Sequence, residues 1–266
     1  MTRVHRALGS SSLVLFLFAF LIPTGNPATV AAALGTKQVP GDWCHPIAAR
    51  TASPVGTGAC SGVRPGAFFS SPIGGCSFNF LFKGADGQRY MGTAGHCLVG
   101  EGKERSWAPG KGPVINAGGR VVGHAAYGIL NEVRDFGLIR LDAGVKASPS
   151  MCHFGGPTGT YTERSSGPVF VEHYGNGLAI SSVLPARTSV AMNTSDPDYV
   201  TATGLAAFGD SGSGATVGGK ALGVLVSIGI SSASIGNVFI TRLPPQVARA
   251  ERMLGTQLTL QTAPRR

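Results

Sequence analysis

The sequence predicts an all-β protein. Glycine accounts for 40 of the 266 residues and charged residues for only 13%, a profile more typical of secreted all-β proteins than of helical cytosolic ones. From about residue 66 to residue 240, short apolar runs are separated by glycine-rich turns. No long helical pattern interrupts them, which favours a sandwich or a barrel. The length suits one large domain or two small ones.

The first residues have the pattern of a secretory leader. Arg3 and Arg6 precede an apolar run at 13–22, and Pro23 with small residues follows it. This run is shorter than the ~20 apolar residues that span a bilayer. We therefore expect a signal peptide over residues 1–32, with an uncleaved membrane anchor as the alternative. Because no later segment has a transmembrane pattern, we expect a secreted protein without stable membrane insertion.

Residues 33–64 are rich in Pro, Gly, Ala and Thr and show no periodicity. They predict an N-terminal extension or a short pro-segment. The net charge is +9, or about +7 once the two arginines of the leader are subtracted. The remaining basic residues are dispersed and do not alternate with aromatic residues, which argues against nucleic-acid binding.

A first group of strands is predicted within residues 65–145. Residues 76–82 alternate between apolar and polar side chains, and a turn follows at 83–87. Residues 120–123 and 136–141 are further strand candidates.

A second group follows a link at residues 144–159, within residues 146–266. Its predicted strands are 168–171, 179–183, 221–230 and 237–240. Residues 244–254 have helical spacing, with Val247, Ala250 and Leu254 on one face. A proline at the start and Gly255 at the end are typical helix boundaries.

The candidate nucleophile is Ser211, in the Gly-Asp-Ser-Gly stretch at 209–212. A serine hydroxyl attacks a carbonyl at neutral pH only when a neighbouring base takes its proton and fixed N–H donors meet the oxyanion. Glycines around Ser211 allow the backbone to turn tightly and to approach a substrate closely.

A base and a carboxylate precede this serine in the chain. His96 lies in Thr-Ala-Gly-His-Cys at 93–97, and Asp135 precedes the apolar run Phe-Gly-Leu-Ile. A buried carboxylate there would fix the reactive tautomer of the imidazole. Asp142 is the competing carboxylate, but it follows Leu141 at a predicted strand end, where we expect it to be solvated. No histidine has metal-ligand spacing, so we expect neither a metal nor a cofactor.

These three motifs, in the order His, Asp, Ser, resemble the chymotrypsin-like serine proteases, and in particular their secreted bacterial, streptogrisin-like branch. The order differs from that of subtilisins and α/β-hydrolases. Ser213 stands where the family usually has glycine. The resemblance implies two antiparallel β-barrels with a short C-terminal helix, and an active site in the cleft between the barrels. It also implies an oxyanion hole made by the N–H groups of Gly209 and Ser211.

Five cysteines fit an oxidising compartment. The resemblance implies a disulfide between Cys76 and Cys97, whose loop of 97 − 76 = 21 residues contributes roughly 3 kcal/mol in the chain-entropy estimate. We expect Cys44 and Cys60 to pair within the extension. Cys152 is then buried and free, or it pairs with Cys44 or Cys60 instead.

Specificity is expected from four further positions. Leu205 stands six residues before the nucleophile, where trypsin-like relatives have an acidic residue, and Phe208 would lie at the rim of the same pocket. Ser227 and Gly229 resemble the family's substrate-pairing strand, whose backbone binds an extended peptide. An apolar or medium-sized side chain is therefore expected in the pocket, and not Lys or Arg.

Asp210, beside the nucleophile, needs a partner if it is buried. In bacterial relatives an arginine serves, just after the cysteine equivalent to Cys152; here that residue is His153. We expect protonated His153 to pair with Asp210, so that the pair weakens as the pH rises. Another arginine or a new amino terminus is the alternative.

Together these features predict a monomeric, secreted serine endopeptidase that cleaves peptides or proteins through an acyl-enzyme. An α/β-hydrolase esterase is excluded because no histidine follows Ser211 and Ser213 breaks the Gly-x-Ser-x-Gly pattern. A catalytically silent secreted binding protein on the same scaffold remains as an alternative.

Overall fold

The computed structural model describes residues 62–175, 177, 184–229 and 236–265. Within these residues, fifteen strands and one α-helix form an open nine-stranded sheet and a closed six-stranded barrel. The predicted all-β class with a short C-terminal helix is confirmed. The expected signal peptide at 1–32 and almost all of the extension at 33–64 lie outside the described residues. No described helix has the length and apolar character needed to cross a membrane.

Eight strands of the open sheet come from one continuous stretch of sequence. They are β1 (Phe68–Ser71), β2 (Gly74–Ser77), β3 (Leu81–Gly84), β4 (Arg89–Thr93), β5 (Lys103–Ser106), β6 (Val114–Ala117), β7 (Arg120–Leu130) and β8 (Asp135–Leu141). The ninth, β15 (Leu258–Leu260), pairs antiparallel with β3. The order is β15-β3-β4-β8-β7-β6-β1-β2, and β5 pairs with β7.

The single strand predicted at 76–82 is wrong, because the chain leaves the ladder between β2 and β3. Phe78, Asn79 and Phe80 are all fully buried, so the apolar–polar alternation does not correspond to two faces of one strand. Their backbone groups bond elsewhere: the Phe78 N–H donates to Ala67 and the Asn79 N–H to Gly92. The two phenylalanine rings fill the core from this irregular segment.

The closed barrel contains the six remaining strands. They are β9 (Val169–Tyr174), β10 (Ala186–Ala191), β11 (Tyr199–Thr203), β12 (Gly214–Val217), β13 (Lys220–Ile228) and β14 (Asn237–Arg242). The barrel closes in the order β10-β11-β14-β13-β12-β9, and every pairing between these strands is antiparallel. The predicted strand at 179–183 lies outside the described residues.

The helix α1 (Leu243–Leu254) has prolines in its first turn and ends at Gly255 in the left-handed conformation, with φ 66°. The helix expected at 244–254 is therefore confirmed. The chain then returns to the open sheet as β15, where Gln261 N–H also donates to the Leu81 carbonyl. The last strand of the segment 146–266 therefore belongs to the open sheet and not to the closed barrel.

Two apolar clusters fill the structure. The larger contains the aromatic side chains of the open sheet, including the stacked rings of Phe69 and Phe78, and also takes in Ala221, Val224 and Leu243 from the second half of the chain. The smaller lies inside the closed barrel. Because the larger cluster extends from the sheet to the barrel, burial of apolar area holds the two together.

Candidate active site

His96 lies in a short 3-10 turn, Gly95–Cys97, directly after β4. Gly95 is required there, because a Cβ atom at this position would lie 1.8 Å from the Ile129 carbonyl oxygen. The predicted disulfide between Cys76 and Cys97 is present and attaches this turn to β2. The His96 side chain is 31% exposed, so its ring is held firmly but stays accessible from solvent.

Asp135 opens β8, which pairs with β4 in the sheet. Its carboxylate accepts a hydrogen bond from the His96 backbone N–H at 2.9 Å and contacts the His96 Nδ1 at 2.7 Å. A neutral imidazole that donates from Nδ1 has its lone pair on Nε2, where a general base needs it. The competing Asp142 is 46% exposed and lies 3.4 Å from His124. The structure therefore joins the predicted histidine to the predicted carboxylate.

Ser211 lies in a loop that packs against the segment preceding His96. Ser77, next to the disulfide, donates its N–H to the Ser211 carbonyl and its hydroxyl to the Gly209 carbonyl, both at 2.8 Å. A Cβ atom added at Gly212 would lie 2.9 Å from the backbone nitrogen of Ala94. The nucleophile loop and the histidine turn are therefore neighbours.

Within the described residues, no hydrogen bond joins the Ser211 hydroxyl to His96. Such bonds are commonly long in enzymes without substrate and shorten in the reacting complex. The backbone N–H groups of Gly209 and Ser211 donate to no acceptor in the described part of the chain, whereas both carbonyls bond to Ser77. Two N–H donors beside a serine are the components of an oxyanion hole.

Asp210 is paired with Arg187, which overturns the expected pairing with His153. The Asp210 carboxylate is fully buried and lies 2.8 Å from the Arg187 guanidinium, whose side chain is 5% exposed. The same carboxylate accepts N–H bonds from Ala207 at 2.7 Å and Gly177 at 3.0 Å. His153 is exposed and contacts Phe154 edge-on. Because the partner is an arginine, we no longer expect the ion pair of Asp210 to weaken as the pH rises.

Arg187 was missed by the sequence analysis, although a weak signal existed. In β10, Arg187, Ser189 and Ala191 alternate with more exposed residues and are buried. An arginine in the inward register of a short strand predicts a buried partner of opposite charge, because an unpaired buried charge is strongly unfavourable.

His173 on β9 was also missed. It is 1% exposed and stands opposite Arg187 in the β9–β10 ladder. Burial and the neighbouring Arg187 guanidinium lower the pKa of His173 to about 3, although Asp210 and a hydrogen bond to the Leu205 backbone oppose that shift. His173 is therefore a neutral imidazole at ordinary pH.

The fold has close counterparts among solved structures. No protein family model matches the chain, and no curated protein sequence matches it. Thermobifida fusca protease A matches with a TM-score of 0.51 and 20% identity over 75% of this chain and 99% of that one. Cellulomonas bogoriensis chymotrypsin gives 0.51 and 18% over 75% and 99%.

A third neighbour, a glutamic-acid-specific serine protease that uses a histidine triad in substrate binding, has a TM-score of 0.53 and 20% identity over 74% of this chain and all of that one. This chain has the chymotrypsin-like fold. The resemblance stated from three short motifs is therefore confirmed at the level of architecture.

All four expected specificity positions lie within the described residues of the chymotrypsin-like chain. Leu205 and Phe208 precede Ser211 and are 52% and 71% exposed. Ser227 is exposed at the end of β13, a strand that accepts the Gly212 N–H bond through Leu225. Gly229 donates its N–H to the Asn237 carbonyl at 2.8 Å, so this N–H group is already used.

Cys152 takes part in a second disulfide bond of this chain. Cys152 is fully buried and disulfide-bonded, which removes the free-thiol alternative. Because Cys76 and Cys97 bond to each other, the partner of Cys152 is one of the two other cysteines of the sequence, Cys44 or Cys60, which lie outside the described residues. The expected pairing of Cys44 with Cys60 is therefore wrong, and the alternative in which Cys152 pairs with one of them remains. Among the described residues, one group of potential metal ligands was found, Cys76, His96 and Cys97. Its two sulfur atoms are bonded to each other, so they cannot bind a metal as thiolates.

Proposed function

We propose that the protein is a secreted serine endopeptidase with His96, Asp135 and Ser211 as its catalytic residues. The observation that carries the proposal is the hydrogen-bonded His96–Asp135 pair, with the nucleophile loop packed against the segment that precedes His96. A buried carboxylate, an accessible imidazole and a serine in a glycine-rich loop are the three groups that acyl transfer requires.

In this mechanism the Ser211 oxygen attacks the peptide carbonyl while His96 Nε2 takes the hydroxyl proton. The Asp135 carboxylate stabilises the resulting imidazolium. The carbonyl oxygen becomes negatively charged and is met by the N–H groups of Gly209 and Ser211, and the loss of one such donor typically costs about 3 kcal/mol in the barrier. His96 then gives its proton to the leaving amine, and an ester on Ser211 remains.

Water completes the cycle. His96 removes a proton from the water molecule, which attacks the acyl-enzyme carbonyl, and the proton returns to the Ser211 oxygen as the ester bond breaks. The products are a carboxylic acid, an amine and the free enzyme, so no cofactor or metal enters the balance.

Peptide or protein chains are the proposed substrates. The exposed side chains of Leu205 and Phe208 favour an apolar or medium-sized residue before the cleaved bond. Disulfide bonds at Cys76, Cys97 and Cys152 fit a secreted protein, because such bonds persist in oxidising compartments. We further propose that the enzyme acts as a monomer.

A fluorophosphonate probe tests the proposal, because it reacts only with an activated serine. We expect stoichiometric labelling of the folded, mature protein, and complete loss of labelling in Ser211→Ala. Ser213→Ala, two residues away in the same loop, is the matched control and should keep the label. A folded wild-type protein that neither reacts with the probe nor cleaves unfolded protein substrates would refute the proposal and favour the binding-protein alternative.

A further inference from the structure

After β15 the chain turns once more, from the open sheet to residues that contact the closed barrel. Residues 142–168 first lead from β8 to β9, and α1 later leads from β14 back to β15. The five residues that follow β15, residues 261–265, then run beside residues 155–157 of the first connection. We call residues 261–265 the strap and residues 155–158 the connecting loop. The proposed mechanism uses neither segment.

The strap is attached to the open sheet where it begins. The Gln261 N–H group donates to the Leu81 carbonyl at 2.8 Å, directly after the ladder of β15 with β3. The Gln261 side-chain amide donates to the Thr259 carbonyl at 3.0 Å. The first residue of the strap is therefore held by two main-chain carbonyls of the sheet.

Two residues later the strap pairs with the connecting loop. The Ala263 N–H group donates to the Pro157 carbonyl at 2.9 Å, and the Gly156 N–H group donates to the Pro264 carbonyl at 2.8 Å. Ala263 is buried. These bonds satisfy backbone groups that lie outside the ladders of the sheet and the barrel.

Arg265, at the end of the strap, joins it to the barrel. Arg265 forms an antiparallel bridge with Gly155, and its guanidinium pairs with the Glu172 carboxylate of β9. The Glu172 side chain is 12% exposed, and its second carboxylate oxygen accepts a bond from the Thr216 hydroxyl of β12 at 3.4 Å. Because an unpaired charge in so enclosed a position is costly, this carboxylate requires its arginine more than a solvated one would.

The turn between β12 and β13 completes the contact. A Cβ atom at Gly219 would lie 2.9 Å from the Arg265 Cδ atom, so the aliphatic part of this arginine lies against the turn. The Gly219 carbonyl also accepts bonds from the Thr158 N–H group at 2.8 Å and from the Thr158 hydroxyl at 3.3 Å. The strap, the connecting loop and this turn are distant in sequence and meet at one place.

We propose that the strap ties the open sheet to the closed barrel and so controls local opening of the connecting loop. This inference goes beyond the proposed function, because it uses none of the catalytic residues. Local opening starts where a segment has few buried contacts of its own, and the connecting loop gains bonds from the strap on its backbone and at Glu172. Release of the strap therefore exposes the connecting loop to proteolysis. The strap thus sets how long the folded chain survives among proteases.

Removal of all residues after Gln261, in a Ser211→Ala chain that cannot digest itself, tests the proposal. We expect Tm to fall by about 6 °C, because two backbone bonds and a largely buried ion pair are lost. Amide exchange in the connecting loop should become about tenfold faster, and more so than exchange in β7. A truncated chain with the Tm and the loop exchange of the full chain would overturn the proposal. Equal acceleration in both segments would overturn it too.

Arg265→Met keeps the full chain length, so it tests the proposal even if the truncated chain does not fold. We expect Tm to fall by about 3 °C, because Glu172 loses its counter-ion in an enclosed position. Lys220→Met is the matched control: Lys220 pairs with Glu163, and these side chains are 46% and 55% exposed, so its Tm should stay within about 1 °C of the parent. Equal shifts in the two variants would overturn the role of Arg265.

Digestion of the same Ser211→Ala chains by an added protease measures survival directly. We expect the truncated chain to be digested about tenfold faster than the full chain, with its first cuts, mapped by mass spectrometry, in or beside the connecting loop. Equal digestion half-lives, or first cuts elsewhere, would overturn the proposal. Because these chains lack the Ser211 hydroxyl, the result does not depend on whether the wild-type protein hydrolyses peptides.

Discussion

The open sheet and the closed barrel position their residues of the candidate site in different ways. The sheet places His96 and Asp135 through two neighbouring strands, β4 and β8, and the two residues bond to each other directly. The barrel places Ser211 in a loop outside any strand, directly after Asp210, which is buried and paired with Arg187 of β10. The proposed acid–base pair is therefore held by regular strand pairing, whereas the loop of the proposed nucleophile is held by a buried ion pair and by backbone hydrogen bonds.

The two halves meet through small, close contacts. Ser77 at the end of β2 bonds to the carbonyls of Gly209 and Ser211, and Gly212 leaves no room for a side chain against Thr93 and Ala94. The position of the Ser211 loop relative to His96 thus depends on these backbone contacts more than on a hydrogen bond between the side chains of Ser211 and His96.

Replacing the carboxylate of the sheet should give the largest effect. In Asp135→Asn the amide can donate to Nδ1, which favours the tautomer with its proton on Nε2, so His96 can no longer accept the serine proton. We expect kcat to fall about ten-thousandfold. Asp142→Asn, at the exposed carboxylate next to His124, is the matched control and should leave kcat unchanged. A loss below tenfold in Asp135→Asn would mean that this pair does not work as the base.

A side chain at Gly212 should break the contact between the halves. Gly212 has φ 90°, and its Cβ atom would lie 2.4 Å from the Ser77 carbonyl oxygen and 2.3 Å from the Thr93 hydroxyl. We expect Gly212→Ala to lower the free energy of unfolding by about 3 kcal/mol, from backbone strain and overpacking together. The kcat should fall as well, because the loop moves away from His96. Urea unfolding and steady-state kinetics measure the two effects.

Gly218→Ala is the control for that variant. Gly218 also has positive φ, 57°, but nothing lies within 4 Å of its added Cβ atom, so we expect a cost of about 1 kcal/mol and an unchanged kcat. Equal effects of the two substitutions would show that strain alone, and not the contact with the histidine segment, explains the loss.

The sequence predicted the residues of the candidate site in the open sheet better than those in the closed barrel. His96 and Asp135 each lie in a short motif, and the pairing of β4 with β8 that joins them is local within one sheet. Arg187 has no motif, since its role arises only when β9, β10 and the nucleophile loop come together. His153 was chosen as the partner of Asp210 from its place after Cys152, and the structure shows that position exposed.

The prediction of one strand at 76–82 was wrong for a related reason. An alternating pattern indicates a strand only when one face is solvated, and the segment between β2 and β3 is buried on every side. The short β15 could not be predicted either, because three residues carry too little periodicity to distinguish a strand from a loop. Both errors concern segments whose shape is decided by the larger core.

The buried His173 of the closed barrel should make the stability of the protein depend on pH. His173 has a folded-state pKa of about 3, lowered from 6.5 by burial and by Arg187. Between these values the unfolded chain binds a proton that the folded chain does not, so stability from this group is complete above pH 6.5 and is lost as the pH falls. The loss is roughly 1 kcal/mol per pH unit, and urea midpoints between pH 4 and 7 measure it.

His173→Gln should flatten this pH dependence, because the amide does not titrate. His153→Gln removes an exposed histidine and should keep the wild-type slope. If His173→Gln kept it too, His173 would already be charged in the folded protein, and two cations would then adjoin Asp210. The flattened slope would instead show that His173 stays uncharged in the folded protein, next to the buried ion pair of Asp210 and Arg187.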